Sequence, residues 1–530
     1  MPDTMRGVYT NLTQIRRNVF AEVAKIGYTE GLTHDQTTRQ IDHLPYKIIP
    51  GDVATYRESV FLERAIVSER IRLAMGLPLQ DVDEPARTSE GIGRAMESET
   101  YYEPPLINII KFACNACEDN VYRVTNACQG CLAHPCREIC PKGAISFVDK
   151  RAFIDQEKCI KCGRCASVCP YDAIHHHVRP CAAACGMHAI GSDENGRADI
   201  DYERCVSCGQ CLVNCPFGAI ADKSQIAQVI HAIRQGEEVI AAVAPAFVGQ
   251  YGGRGDVGKL KAMFKQLGFS GVEEVAVGAD LCTVQEAADF MREVPDELPF
   301  MGTSCCPAWA SMAKMEFPKH AECISMALTP MVLTARLIRM NHPNAKIVFV
   351  GPCAAKKLEA MRESVRSEVD FVLTFEEVAA LMEAKDITYK DIDDSEQTDF
   401  NEASADGRGF AVSGGVAKAV VNQVHATDPD REVKVMAAEG LDDCRAMMKQ
   451  AVKGAYPGYL LEGMACPGGC IAGPGTLQPI NKTKGMVAMY SKRASRQLAA
   501  DDVNTVDLDD LTVDNTRWIM RVKEAQEEDA

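Results

Sequence analysis

Hydrophobic and polar positions along the 530-residue chain change rhythm between its two ends. Over residues 56–75 (YRESVFLERAIVSERIRLAM) apolar side chains recur at helical spacing with charges between them, which predicts an amphipathic helix. Residues 5–28 carry a weaker form of the same period. The acidic, proline-containing stretch 81–104 reads as a linker. Beyond residue 221, short apolar runs at 239–244 (VIAAVA), 272–277 (VEEVAV), 346–350 (KIVFV), 409–412 (GFAV), 433–437 (VKVMA) and 459–462 (YLLE) read as buried strands. Helical stretches such as 331–340 and 444–452 separate most of them. Strands alternating with helices predict parallel sheets covered on both faces, hence an α/β body.

Composition narrows the class. Apolar content of 46% supports large cores, and the length suits about three domains. A net charge of −17 argues against nucleic acid and anionic membrane surfaces as partners. No run approaches the ~20 apolar residues of a membrane span. Arg16 and Arg17 are followed by no apolar segment of the secretory kind, so the expectation is a cytoplasmic chain without membrane insertion. In that compartment 24 cysteines cannot be a disulfide framework; they are metal ligands, catalytic thiols or core residues.

Sixteen cysteines lie between Cys114 and Cys215. Cys159, Cys162, Cys165 and Cys169 (CIKCGRCASVCP) and Cys205, Cys208, Cys211 and Cys215 (CVSCGQCLVNCP) follow the bacterial ferredoxin spacing for [4Fe-4S] cubanes, in which the fourth cysteine serves the other cluster. That rule predicts Cys159, Cys162 and Cys165 with Cys215, and Cys205, Cys208 and Cys211 with Cys169. The other eight are less regular, but HPCREICPKGAI is echoed by RPCAAACGMHAI. One partition groups Cys128, Cys131, Cys136 and Cys185, leaving Cys114, Cys117, Cys140 and Cys181 for a fourth cubane. The bland alternative makes some of these eight zinc ligands or buried thiols. The triple histidine 175–177 reads as a loop tract.

Three further cysteine stretches lie far apart: GTSCCPAW at 302–309, VGPCAAKKLE around Cys353, and EGMACPGGCIAGPG with Cys466 and Cys470. Two of them directly follow strands, and ligands in open α/β sheets sit beyond strand carboxyl ends. Convergence on one metal site is therefore expected. The chain divides into an N-terminal helical segment and linker (1–105), a ferredoxin-like α+β multi-cluster domain (106–224), two catalytic lobes (225–355 and 356–498) whose mostly parallel sheets flank the site, and an acidic tail (499–530).

TSCCPAW, PCAAKKLE and EGMACPGGC resemble the three signatures of [FeFe]-hydrogenases, over about residues 225–490, and GPC and ALTPM are most similar to the group B branch. The resemblance implies reversible oxidation of H2 and reduction of protons at an H-cluster, a cubane joined to a two-iron subsite with carbonyl, cyanide and azadithiolate ligands. It implies that Cys306, Cys353, Cys466 and Cys470 hold the cubane half, Cys470 also bridging to the two irons. Cys305 corresponds to a proton-delivering thiol, Glu286, Ser325 and Asp289 to a relay leading outward, and Lys356 to a cyanide-bonding lysine. Ala244 and Pro245 match the backbone lining the other cyanide, and Met464 the methionine beside the two irons. Implied partners are H2, protons, ferredoxin or a similar low-potential carrier, and H-cluster maturation proteins.

Several residues depart from that pattern. Gly351 stands where a methionine usually packs, Ala246 and Ala355 replace small polar residues, Met331 stands in place of glutamine, and Glu293 where the relay usually ends in arginine. Competing readings are an H-cluster sensor of hydrogen or redox state, an iron–sulfur assembly protein and one component of a larger electron-transfer complex. Cys305, Lys356 and Met464 together favour the enzyme. Taken alone, Glu286 and Asp289 are a solvated helix face, and Ser325 a cap or buried hydroxyl. Cys282, Cys323 and Cys444 read as small core residues. Ser413-Gly414-Gly415 lacks the Lys-Ser/Thr of a phosphate loop and reads as close helix–strand packing.

Overall fold

A computed structural model describes the chain except residues 1–9, 82, 85, 96–103, 254–256, 363, 364, 366, 394–402, 502–510 and 512–530. Most of the acidic tail, part of the 81–104 linker and the start of the 5–28 period therefore lie outside the described residues.

Three N-terminal helices open the fold: Asn11–Tyr28, His34–Ile48 and Val60–Ala74. Each has an oxygen-bearing N-cap. Thr10 accepts from the amide of Thr13, Thr33 forms a capping box with Gln36, and Ser59 accepts from the amide of Leu62. The third helix starts four residues later than its apolar period. The buried carboxylate of Glu63 accepts the backbone N–H groups of Thr55, Tyr56 and Arg57, which holds that stretch out of the helix. Nor is this helix amphipathic in place: Glu69, Arg70 and Arg72 are buried with its apolar residues, and Arg70 donates to the carbonyl of Gly218. The helices share one continuous core with the first sheet of the body, from Val19 and Ile71 through Val239–Val243.

The cysteine-rich segment consists of nested antiparallel strand pairs. Ile107–Ile109 pairs with Ile220–Asp222 and encloses the rest; Val121–Val124 pairs with Ile174–His177 further in; Ile145–Val148 pairs with Arg151–Ile154, and Ile190–Ser192 with Ala198–Ile200. The histidine tract is thus a strand and not a loop. Its side chains alternate in an exposed ladder, and the His176 ring stacks on Tyr122 at 4.5 Å.

In the body, one all-parallel sheet has the strand order Gly271–Glu274, Val239–Val243, Lys346–Gly351, Phe371–Thr374. A second has the order Phe300–Gly302, Tyr459–Met464, Lys434–Glu439. The sheets interleave in sequence, so the boundary drawn at residue 355 does not separate them. Two predicted strands change character. Residues 275–277 open the helix Val275–Glu293, because the apolar run continues across the strand–helix junction. Residues 409–412 follow the short helix Ala405–Gly409 and line a loop instead, Ala411 accepting from the amide of Ile471.

Candidate metal-cluster site

Each catalytic cysteine loop leaves the carboxyl end of a parallel strand. Phe300–Gly302 leads to Cys305 and Cys306, and Pro307, whose φ is already helical, starts the helix Pro307–Glu316. Lys346–Gly351 leads to Cys353, and Tyr459–Met464 to Cys466 and Cys470. All five cysteines line one chamber, with Lys356, Met464, Ala244 and Pro245 in the same wall. Trp309 fixes the first loop: the fully buried indole donates to the carbonyl of Thr303 at 3.0 Å. Its ring lies flat on Gly463, where a Cβ would come within 2.2 Å of it.

Burial first, and then neighbouring cysteines, push the thiol of Cys470 up to about 12 and that of Cys353 to about 11. Soft sulfurs gathered in an apolar chamber are stable as thiolates only with cationic metal among them. Among the described residues no three His, Cys, Asp or Glu groups converge closely enough for a single ion. Five cysteines brought to one chamber by three separate loops are a soft donor set that fits a polynuclear cluster.

Cys305 stands apart in partners. Burial first, and then the proximity of Glu286, raise its thiol well above the ordinary range. Glu286 is fully buried on the helix Val275–Glu293. Its Oε1 accepts from the Ser304 amide at 2.9 Å and the Ser304 hydroxyl at 3.2 Å, while its Oε2 is buried without a partner. Burial raises its carboxyl to about 7, against lowering by Ser304 and Ser325. Asp289 and Glu293 follow toward solvent, side chains 19% and 25% exposed, and Arg292 donates to both, at 2.5 and 2.6 Å. Arg292 thus stands one residue before the position where the resemblance leads one to expect an arginine.

Lys356 donates to Glu359 at 2.5 Å and to the Thr329 hydroxyl at 3.1 Å. Burial lowers its ammonium, yet Glu359 carries it above the ordinary lysine range, so it remains charged. Sequence reasoning missed Ser304, Thr329 and Glu359; the lysine–glutamate spacing of three on one helix was the available signal for the last. It missed Phe349 as well. A Cβ on Gly351 would come within 2.5 Å of the Phe349 ring, which also lines the chamber. The glycine does not leave a gap, because that ring fills the space. Cys282 and Cys444 are fully buried and Cys323 nearly so.

In the cluster segment both expected pairings are overturned. Cys128, Cys131, Cys136 and Cys169 line one small cavity, and Cys114, Cys117, Cys181 and Cys215 another. Burial raises Cys165, and Cys159 and Cys140 add to it. Burial likewise raises Cys211, with Cys208, Cys205 and Cys185 adding. The fourth cysteine does cross over, but within each nested unit: Cys140 lies with Cys159 and Cys165, to which the motif spacing adds Cys162, and Cys185 lies with Cys205, Cys208 and Cys211. Spacing alone cannot show which hairpin encloses which. All four units share their backbone geometry. A left-handed residue precedes the second cysteine (Ala116, Gly130, Lys161, Ser207), and another follows the crossing cysteine (Gly143, Asp172, His188, Gly218). Each crossing sulfur, of Cys140, Cys169, Cys185 and Cys215, accepts the amide of an alanine four residues on, at 3.3–3.4 Å. Such bonds favour the anionic form of sulfur. The last unit touches the chamber: Gln210 donates to Cys466 Sγ at 3.1 Å. Gly209, at φ +76°, lets that loop approach, since a Cβ there would lie 2.7 Å from Pro474 and 3.2 Å from Ala354.

Fold and site together define an iron–sulfur protein: a ferredoxin-like segment abutting a cysteine-lined chamber at the carboxyl ends of parallel strands. Residues 237–474 match the family model for the C-terminal domain of the iron only hydrogenase large subunit. Residues 152–175 match a 4Fe-4S binding domain, and 176–226 the LdpA Fe-S cluster-binding domain. The chain is 29% identical to iron hydrogenase 1 of Clostridium pasteurianum over 386 residues, 63% of this chain and 67% of that protein. It is 29% identical to the periplasmic [Fe] hydrogenase large subunit of Nitratidesulfovibrio vulgaris over 393 residues, 63% of this chain and 90% of that one. Human nuclear prelamin A recognition factor is 27% identical over 268 residues, 42% of this chain and 59% of that protein. A solved [FeFe]-hydrogenase, HydA1 of Chlamydomonas reinhardtii, superposes with a TM-score of 0.43 at 18% identity, covering 50% of this chain and 88% of that one. Residues 237–474 thus match the C-terminal domain of the iron-only hydrogenase large subunit, and the relatives of similar sequence include two hydrogenases. No helix among the described residues is long and apolar enough to cross a membrane.

Proposed function

We propose that the chain catalyses the reversible interconversion of H2 with two protons and two electrons. The observation that carries this is Cys305, a chamber-lining thiol beside a buried carboxyl with an unpartnered oxygen. Cys306, Cys353, Cys466 and Cys470 would hold the cubane of an H-cluster, whose iron–sulfur and two-iron halves supply the redox chemistry. Cys305 keeps its proton at neutral pH because burial and Glu286 disfavour the thiolate, so it can donate into the chamber and be recharged. Glu286, near pH 7 in affinity, takes and returns that proton, with Ser304 orienting its carboxyl, Ser325 close by and Asp289, Arg292 and Glu293 leading outward. The Lys356 ammonium, held by Glu359 and Thr329, presents positive charge to anionic ligands in the chamber. The sixteen cysteines of residues 114–215 would hold four cubanes, which would supply one-electron chemistry between the chamber and a low-potential donor in the cytoplasm.

Infrared spectra of protein matured with the two-iron subsite should show carbonyl and cyanide bands, and dithionite-reduced methyl viologen should yield hydrogen. Replacing Cys305 with alanine should keep the bands and abolish turnover; retained turnover would remove Cys305 from its role. A second reading, a non-hydrogenase iron–sulfur protein, draws on the likeness to prelamin A recognition factor and to a zebrafish cytosolic Fe-S cluster assembly factor. It predicts neither bands nor hydrogen, whereas a sensor would show bands with little hydrogen.

A further inference from the structure

The Ser413-Gly414-Gly415 turn opens the helix Gly415–Thr427 with an N-cap that has no side chain, Gly414 at φ +84°. The sheet supplies the missing cap. Glu462, fully buried on the strand Tyr459–Met464, accepts the Gly414 amide on Oε1 at 2.6 Å and the Ala417 amide on Oε2 at 2.7 Å. Both oxygens therefore face N–H donors at the positive end of a helix, surroundings that favour carboxylate over acid. Burial raises its carboxyl, against lowering by the amides of Ala417, Gly414 and Val416. Glu286 is the opposite case, with Oε2 buried and unpartnered. The two carboxyls stand on touching elements. Ala417 and Val420 of the capped helix share an apolar cluster with Ala287 and Phe290 of the Glu286 helix. The Thr303 amide, next to Ser304, donates to the Leu461 carbonyl, next to Glu462, at 2.9 Å. Burial is the main cause of the high proton affinity of Glu286, and the charge of Glu462 adds to it. The thiols of Cys282 and Cys305 also face Glu286. Charged groups on the surrounding elements are engaged elsewhere: Asp280 with Ser404, Asp289 with Arg292, Arg336 with the Val365 carbonyl, Arg339 with Asp370, Lys356 with Glu359, Asp406 with Asn422 and Arg408 with Glu274. Glu439, on the strand beside Glu462, accepts the Gly468 amide, Asp501 accepts the Leu498 amide, and Lys418 and His425 of the capped helix are exposed.

We propose that Glu462 is a positioning residue for the proton relay, a carboxylate that stays ionised behind the chamber and so keeps the proton on Glu286. This deepens the relay described above and rests on it. Glu462 touches none of the reacting atoms. Its oxygens are spent on the helix amides, so it neither takes nor passes a proton. Its effect is electrostatic: an ionised Glu286 would face a second anion where little water screens the two, and that repulsion disfavours loss of the proton. Two buried carboxyls are thereby divided in role by their surroundings, one fixed as an anion and one left free to exchange. The glycines of the turn serve the same arrangement. Gly414 adopts the left-handed backbone that turns its amide toward Glu462, and a Cβ on Gly415 would lie 2.1 Å from the Gly409 carbonyl oxygen.

The test follows the protonation of Glu286 in the full chain purified without the two-iron subsite, through the infrared carbonyl band of its protonated carboxyl. That band is the one missing from Glu286→Gln. In Glu462→Gln its midpoint should fall by about one pH unit, the scale of one like charge removed from a poorly solvated site. The inflection of the pH–rate profile of matured protein should fall with it. Asn422→Ala loosens the same helix on its far side, at the bonds to Asp406, and changes no charge; its midpoint should match the parent's. An unchanged midpoint in Glu462→Gln, or an equal fall in Asn422→Ala, overturns the role of Glu462. Should Glu462→Gln fail to fold, Glu462→Asp and Glu462→Asn make the comparison at equal length. The Asn variant should then titrate lower, and equal midpoints overturn the proposal. Matured parent that yields no hydrogen defeats the relay reading, while the band titration still decides what the Glu462 charge does to Glu286.

Discussion

Glu286 shows what one buried carboxyl can do when only half of it is satisfied. Its ordinary value of 4.5 rises to about 7 because burial disfavours the anion more than Ser304 and Ser325 favour it. Between those values the folded chain binds a proton that the unfolded chain does not. The group therefore costs stability progressively as pH rises from about 4.5 to 7. The same shift sets a working range: hydrogen evolution should decline above about pH 7 as Glu286 loses its proton. Glu286→Gln should remove that inflection and lower the rate by about a hundredfold or more, the scale of lost general acid–base catalysis. A pH–rate profile measured with reduced methyl viologen checks both, and an unchanged inflection in the variant would assign it to another group. The sequence placed Glu286 and Cys305 through three short signatures. It could not place Ser304 or Glu359, whose roles come from which atoms face the chamber and not from residue type. Gly351 was legible as a missing side chain but not as a filled space, because Phe349 two residues earlier on the same strand face supplies the ring.

The elements were legible where period and boundary coincide. Lys346–Gly351 and Tyr459–Met464 are compact apolar runs punctuated by Gly351 and Gly463, and their cysteine loops fall where parallel strands place ligands. The helix Val275–Glu293 was partly hidden, since Glu274 offers no side-chain cap and the apolar run crosses from strand to helix without interruption. Residues 409–412 misled in the opposite way: apolar and short, they bond in local turns, with Ala411 accepting from the Ile471 amide, and not in a sheet. Trp309 joins the element holding Cys305 and Cys306 to the strand leading to Cys466. Trp309→Ala should cost about 3–5 kcal/mol, the usual penalty for deleting a fully buried aromatic. Denaturant unfolding of the chain would show this as a lower midpoint. A change under about 1 kcal/mol, the range of surface substitutions, would mean the loop is held elsewhere.

Across the whole molecule, the cysteine pairing would set the order in which electrons travel on the proposed reading. The unit of Cys185, Cys205, Cys208 and Cys211 lies against the chamber, so Cys185→Ser should interrupt delivery from a protein donor while leaving the infrared bands of the chamber intact. The spacing rule assigns that role to Cys169, which instead belongs to the outer unit with Cys128, Cys131 and Cys136. Comparing Cys185→Ser with Cys169→Ser by the spectra of the reduced clusters distinguishes the two. Loss of the chamber-adjacent signal in the Cys169 variant alone would restore the simpler rule. Nesting also has an evolutionary and engineering meaning. Residues 120–178 leave and re-enter the inner unit at neighbouring points, where Asp119 accepts the amide of Arg179 at 3.1 Å. The outer segment is therefore a module whose two ends already meet, the arrangement in which a domain is gained or lost without refolding its host. On the proposed reading a conductor built this way would lengthen by whole modules, its terminal exchanged to suit a new donor while the chamber end stays as it is.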